Sequence, residues 1–237
     1  MADYIRKDIL SQSYVHVEPE WLISVSAEEK EKIISEIVRK ITYFSDERIR
    51  FFLDDKVDIE INFEDGSIRA WITAYGPILL LIGSTITNYS SFRESIKYLV
   101  ADSQRVANMV NTEIIFQSKS RSRDEILRVE SRKGVIGSIE RINNKIDALS
   151  GKLKRGDCSP TLINEDFLEL NGLILELFSN VNDKDDAKLI ASALHDGIDN
   201  LNIKKGRFKI SDQIDLYMLT SLSNEKKLVL KNLDAYR

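Results

Sequence analysis

Val57-Asp58-Ile59-Glu60-Ile61-Asn62-Phe63-Glu64-Asp65-Gly66-Ser67-Ile68-Arg69-Ala70-Trp71-Ile72-Thr73-Ala74 is the stretch that decides the fold class. Apolar and polar residues alternate on both sides of Asp65-Gly66, the pattern of strands with one buried face. Asp-Gly is a strong signal for a two-residue hairpin turn, because both residues tolerate positive φ. With that pair at the tip, Phe63 faces Ile68, Ile61 faces Ala70, Ile59 faces Ile72 and Val57 faces Ala74. The other face pairs Asn62 with Arg69, Glu60 with Trp71 and Asp58 with Thr73. A slip of one residue would mix the two faces, so this register is expected to be well specified. A lone hairpin is marginal in water. Its apolar face needs a cover, and helices of the same chain are expected to supply it.

Downstream, Gly76-Pro77 ends the second strand, since Pro cannot donate to the ladder. Ile78 to Ile82 is a short apolar run. Ser91-x-x-Glu94 reads as a capping box that opens a long helix. Phe92, Ile96, Leu99, Val100, Val106, Ala107, Val110 and Ile114 make one stripe of that helix. Upstream, Tyr14 to Val17 reads as a short strand for addition to the hairpin. Ser26-x-x-Glu29 is another capping box, followed by Ile33, Ile34, Ile37, Val38 and Ile41 on one side. Ser45 is expected to cap a second short helix through Ile49, Phe52 and Leu53.

Past the long helix, Ser118 to Arg123 is polar, basic and free of apolar residues. Asp124 to Arg132 regains helical character through Ile126, Leu127 and Val129. Two segments then share alternating four–three spacing, the mark of a heptad seam. They are Val135, Ile139, Ile142, Ile146 and Leu149, and Ile163, Phe167, Leu170, Ile174, Leu177 and Val181. Turn residues from Gly151 to Pro160 separate them, so an antiparallel helical hairpin is expected. The second helix also carries Leu168, Leu173, Leu175 and Phe178, so it is apolar on more than one side. Asn182 to Asp186 opens a further helix with the stripe Leu189, Ile190, Ala193, Leu194, Ile198 and Leu201. Lys204 to Ile210 is a basic loop or short strand, Ser211 or Asp212 caps a helix through Met218, and a last helix spans Asn224 to Tyr236.

The fold expected is α+β and predominantly α-helical, with a small antiparallel β-hairpin packed on helices and then an antiparallel helical hairpin or bundle. The N-terminal α/β part covers 1–117, with the hairpin at 57–74 and the long helix from 91; the helical part covers 118–237. The 237 residues are 43% hydrophobic and 30% charged, enough to bury a sizeable core. A net charge of −4 argues against a general polyanion binder but leaves room for a local basic patch. One cysteine, Cys158, allows no intramolecular disulfide and fits a reducing compartment. The N-terminal segment lacks a signal-peptide apolar core, so the cytoplasm is the expected location.

Catalytic and metal chemistry find little support. Only His16 and His195 accompany the single cysteine, too few ligands for a Cys/His zinc site. His195-Asp196 is half of a phosphohydrolase pair without its other histidines. Asp183, Asp185 and Asp186 lack the Gly and distal Glu of an EF-hand loop. No nucleophile elbow or phosphate loop appears. The expectation is therefore no enzyme, no metal and no cofactor.

The function expected is a non-catalytic scaffold or accessory subunit of a multi-protein assembly, self-associating or binding a protein partner through helical surfaces. Ile139, Ile142, Ile146, Phe167, Leu170, Ile174 and Leu177 are the interface candidates. The alternative is nucleic-acid contact through Lys119, Arg121, Arg123, Lys152, Lys154, Arg155, Lys204, Lys205 and Arg207, although no RRM, KH or helix-turn-helix signature accompanies them. A further alternative is membrane association through 70–92, which carries no charged residue. Only Ile78 to Ile82 is densely apolar there, against the ~20 residues a spanning helix needs.

Overall fold

A computed structural model describes residues 9–64, 68–83, 86–156, 158–204 and 208–237. It is 65% helical with a small four-stranded antiparallel sheet, an α+β fold of mostly helical content. The chain forms two compact units, each from separated stretches: Met1–Leu81 with Tyr98–Gly137, and Ile82–Lys97 with Ser138–Arg237. Position 117 lies inside the first.

The first unit holds the sheet. In chain order come β1 (Ile9–Val17), α1 (Trp21–Ser24), α2 (Ala27–Phe52), β2 (Asp58–Glu64), β3 (Ile68–Tyr75), α3 (Ile78–Ile82), α4 (Tyr89–Gln117) and β4 (Ile126–Arg132). The unit takes α4 from Tyr98 onward. The sheet order is β2-β3-β1-β4, every neighbouring pair antiparallel. With the short α1 and α3 set aside, this is the β-α-β-β-α-β arrangement of ferredoxin-like domains. The strand expected at Tyr14 to Val17 does add to the hairpin, as part of the longer β1.

One face of the central strands β1 and β3 is apolar and covered. Val15, Val17, Ile68, Ala70, Ile72 and Ala74 are buried. On the same face the Ser13 hydroxyl donates to the Ala107 carbonyl of α4 (3.2 Å). The Asn111 amide of α4 donates to the Glu130 carbonyl (3.1 Å) and the Ser131 hydroxyl (3.2 Å). The expected α4 stripe, from Phe92 through Ile114, is buried throughout.

Several local expectations need correction. The hairpin pairs Phe63 with Ala70, Ile61 with Ile72 and Ile59 with Ala74, two residues away from the register expected. A two-residue slip keeps every side chain on its own face, so alternation cannot tell the two registers apart. The Asp65-Gly66 turn lies outside the described residues. Second, Ile126 to Arg132 is a strand, not a helix. Its apolar spacing suits either period, and pairing with β1 settles it.

Third, α2 runs unbroken through Ser45, which is buried rather than capping. Ile41, Ser45 and Ile49 sit at i, i+4 and i+8 on the inward stripe, and that packing carries the helix through. Fourth, α4 begins at Tyr89, two residues before the start expected. Asn88 is its cap, accepting from the Ser91 N–H (3.0 Å), while the Ser91 hydroxyl accepts from the Asn88 N–H (3.2 Å). The reciprocal pair is a capping box in which Ser91 sits inside the helix.

The second unit is helical. It takes most of α5 (Gly134–Arg155), with α6 (Pro160–Phe178), α7 (Lys184–Asp199), α8 (Gln213–Asp234) and the start of α4. Ser159 caps α6 and Asp183 caps α7, as the turn residues imply. Asp212 caps α8, which is one helix where two segments were expected. Lys145 pairs with Asp166 and Glu169 while Lys152 also reaches Asp166, the order of an antiparallel α5–α6 pair. Thr161 meets Asp215, Asn164 meets Ser221 and Asn171 meets Asn232, so α6 and α8 run parallel.

Candidate functional site

The seven interface candidates, Ile139, Ile142, Ile146, Phe167, Leu170, Ile174 and Leu177, are all buried within the second unit. The heptad spacing therefore builds this chain's own core. The exposed apolar side chains of the unit lie elsewhere. On α6, Leu168 and Leu175 each sit four residues after Asn164 and Asn171, the residues that bond to α8. On α8, Tyr217 and Leu228 each sit four residues before their partners Ser221 and Asn232. Residues four apart share a helix stripe. All four therefore border one seam, with a polar floor and apolar rims. Their exposures are 52% for Leu168, 46% for Leu175, 69% for Tyr217 and 44% for Leu228.

The α5–α6 contact is locked by charge. Asp166 accepts from Lys145 (2.7 Å) and Lys152 (2.6 Å), and Glu169 also accepts from Lys145. Burial pushes the Asp166 carboxyl up, but the two ammonium groups outweigh it and hold it below its ordinary value. In the same unit a cleft of about 230 Å³ is lined by Arg93, Lys97, Glu140, Asn143, Asn144 and Asp147. Arg93 is bound there to Asp147 at 2.6 Å. The Asn143 amide is sealed and unbonded to protein, so a solute meets the Asn144 amide and charged side chains of both signs in this cleft.

The basic candidates divide between the units. Lys119, Arg121 and Arg123 belong to the first; Lys152, Lys154, Arg155 and Lys204 belong to the second. Lys205 and Arg207 lie outside the described residues. Lys152 is engaged by Asp166, and Lys154 and Arg155 also have partners. The loop that bears Arg121 and Arg123 is organised by Glu125. Its carboxylate accepts backbone N–H groups from Ser122 (2.8 Å), Arg121 (2.9 Å) and Glu20 (3.0 Å).

Those N–H donors lower the Glu125 pKa to about 2. Because the folded value lies below the ordinary glutamate value of about 4.3, the ionised group favours folding above that pH. The contribution fades as pH falls toward 2. A carboxyl-carbon NMR titration of Glu125 should therefore show a midpoint near 2. A midpoint near 4.3 would mean that the donors do not hold the carboxylate in solution.

The second sheet face of the first unit escaped the sequence reading. Gln12, Tyr14 and His16 of β1 stand beside Thr73, Trp71 and Arg69 of β3, and beside Arg132, Glu130 and Arg128 of β4. The Tyr14 and Trp71 rings lie 4.1 Å apart. The Arg132 guanidinium stands 5.0 Å from the Trp71 ring centre and that of Arg128 5.6 Å from Tyr14. The signal was the alternation Gln12, Tyr14, His16 against Arg69, Trp71, Thr73, Tyr75, which assembles a surface only once β1 is known to be central.

The uncharged 70–92 segment is divided among β3, the five-residue α3 and the first turn of α4. Among the described residues no helix is long and apolar enough to cross a membrane, and no group of three or more His, Cys, Asp or Glu side chains is placed to hold a metal ion. Compared with family models, curated proteins and solved structures, the chain matches none.

Proposed function

We propose that this chain is a non-catalytic interaction subunit that assembles through the α6–α8 seam of its helical unit, with a second copy as the occupant. The supporting observation is the row of exposed apolar side chains, Leu168, Leu175, Tyr217 and Leu228, along the borders of one seam. Scattered exposed leucines are ordinary, whereas apolar groups aligned on neighbouring helices form a patch that another polypeptide covers. The polar floor of Asn and Ser side chains adds hydrogen-bond groups at the centre of such a contact.

The test is mass by light scattering across protein concentration. Wild type is expected at twice the 27.2 kDa chain mass or above. Leu168→Asp combined with Leu175→Asp is expected at the single-chain mass and still to unfold cooperatively, losing only the stabilisation that assembly itself supplies. A wild type that stays at 27.2 kDa throughout overturns self-assembly through this seam.

A further inference from the structure

We propose that the polar face of the β2-β3-β1-β4 sheet binds single-stranded nucleic acid, with half-buried Trp71 and the guanidinium planes of Arg132 and Arg128 as the stacking platform and buried Tyr14 as the support beneath them. This inference concerns the first unit and is independent of the α6–α8 seam. The central strands of a sheet are its most rigid part, and here they place two aromatic rings in register, Tyr14 opposite Trp71. Each ring carries a guanidinium from the edge strand β4. The plane of Arg132 is held by Glu130 (3.0 and 2.6 Å) and by the Gln12 side-chain oxygen (3.3 Å). Unpaired bases stack on aromatic rings and equally on arginine planes. A layered ring and guanidinium therefore offers a further flat, cationic surface to a base.

Charge distribution selects the path and the ligand. From 119 to 133 the sequence has six Lys or Arg against three Asp or Glu. This stretch comprises β4 and the loop before it. The opposite edge is acidic, with Asp58, Glu60 and Glu64 on β2. A phosphate backbone is therefore drawn along the β1–β4 half and repelled from β2. Gln12, anchored to the buried Thr73 hydroxyl at 3.0 Å, lies beside the rings with the amide group that base edges recognise. A duplex keeps its base faces stacked internally and gains nothing from the platform.

Fluorescence anisotropy of the full chain with labelled oligonucleotides of about 12 residues, RNA and DNA, tests this. Single strands are expected to bind at about 50 mM salt, at least tenfold tighter than the matching duplex, and to weaken at about 200 mM. Trp71→Ala is expected to weaken binding by roughly five- to a hundredfold, whereas Trp71→Phe keeps a platform and most of the affinity. Arg128→Ala, at an exposed position where the guanidinium pairs with Glu130, is expected to weaken binding and lower the salt slope by up to about one charge. Its fold is secure if the tryptophan variant's is not. RNA and DNA arms distinguish the natural sugar. No binding at low salt, equal binding of duplex, equal competition by polyglutamate, or indifference to Arg128→Ala would each overturn the proposal.

Discussion

Gly134→Ala is expected to destabilise the sheet-bearing unit by about 3 kcal/mol or more. The residue sits where β4 passes into α5, at φ +56°. A β-carbon there would stand 2.1 Å from the Ile9 carbonyl oxygen, 2.7 Å from that of Leu10 and 2.8 Å from the Leu10 carbonyl carbon. The left-handed conformation alone costs an ordinary residue about 1–2 kcal/mol. The clash adds more, because backbone atoms of β1 cannot rotate aside as a side chain would. That strand is hydrogen-bonded on both sides, so moving it disturbs two ladders. Gly83→Ala isolates the first cost. Its φ is +67° and nothing lies within 4 Å of the added carbon, so only the left-handed cost of about 1–2 kcal/mol is expected. Denaturant unfolding of both variants measures the difference. Equal losses would mean that β1 does not approach Gly134 as closely as described.

What was legible in the sequence depended on how local the deciding interaction was. The Phe92 to Ile114 stripe and the caps at Ser26 and Asp183 are written within a turn or two of the residues they govern. The faces of β2 and β3 were legible for the same reason, since alternation is a property of each strand alone. Register was not, because a shift of two residues leaves that alternation intact. The strand at Ile126 to Arg132 depends on a partner more than a hundred residues earlier in the chain, and no local pattern records that partner. The same distance hid the Tyr14–Trp71 surface. Heptad spacing revealed that two helix faces are apolar without saying what covers them. Here the cover is the chain itself, and only burial separates Leu170 from Leu168.

That separation yields the second large effect. Leu170→Asp is expected to cost about 4 kcal/mol or more and to abolish cooperative unfolding of the helical unit. Leu170 is fully buried, so an aspartate there must either lose its charge or tear open the core. The cations that α5 presents to α6, Lys145 and Lys152, are already engaged by Asp166. Leu168→Asp lies two residues away on the same helix but is 52% exposed, and it is expected to keep a cooperative unfolding transition, lowered only by the stabilisation that assembly supplies. Circular dichroism melts with light scattering on each variant read fold and assembly separately. If Leu170→Asp stays folded while losing assembly, the heptad seam is a surface between chains and the intrachain core described for α5 and α6 is wrong. If it unfolds while Leu168→Asp stays folded and monomeric, the two faces of α6 divide the work, one holding the unit together and the other holding its partner.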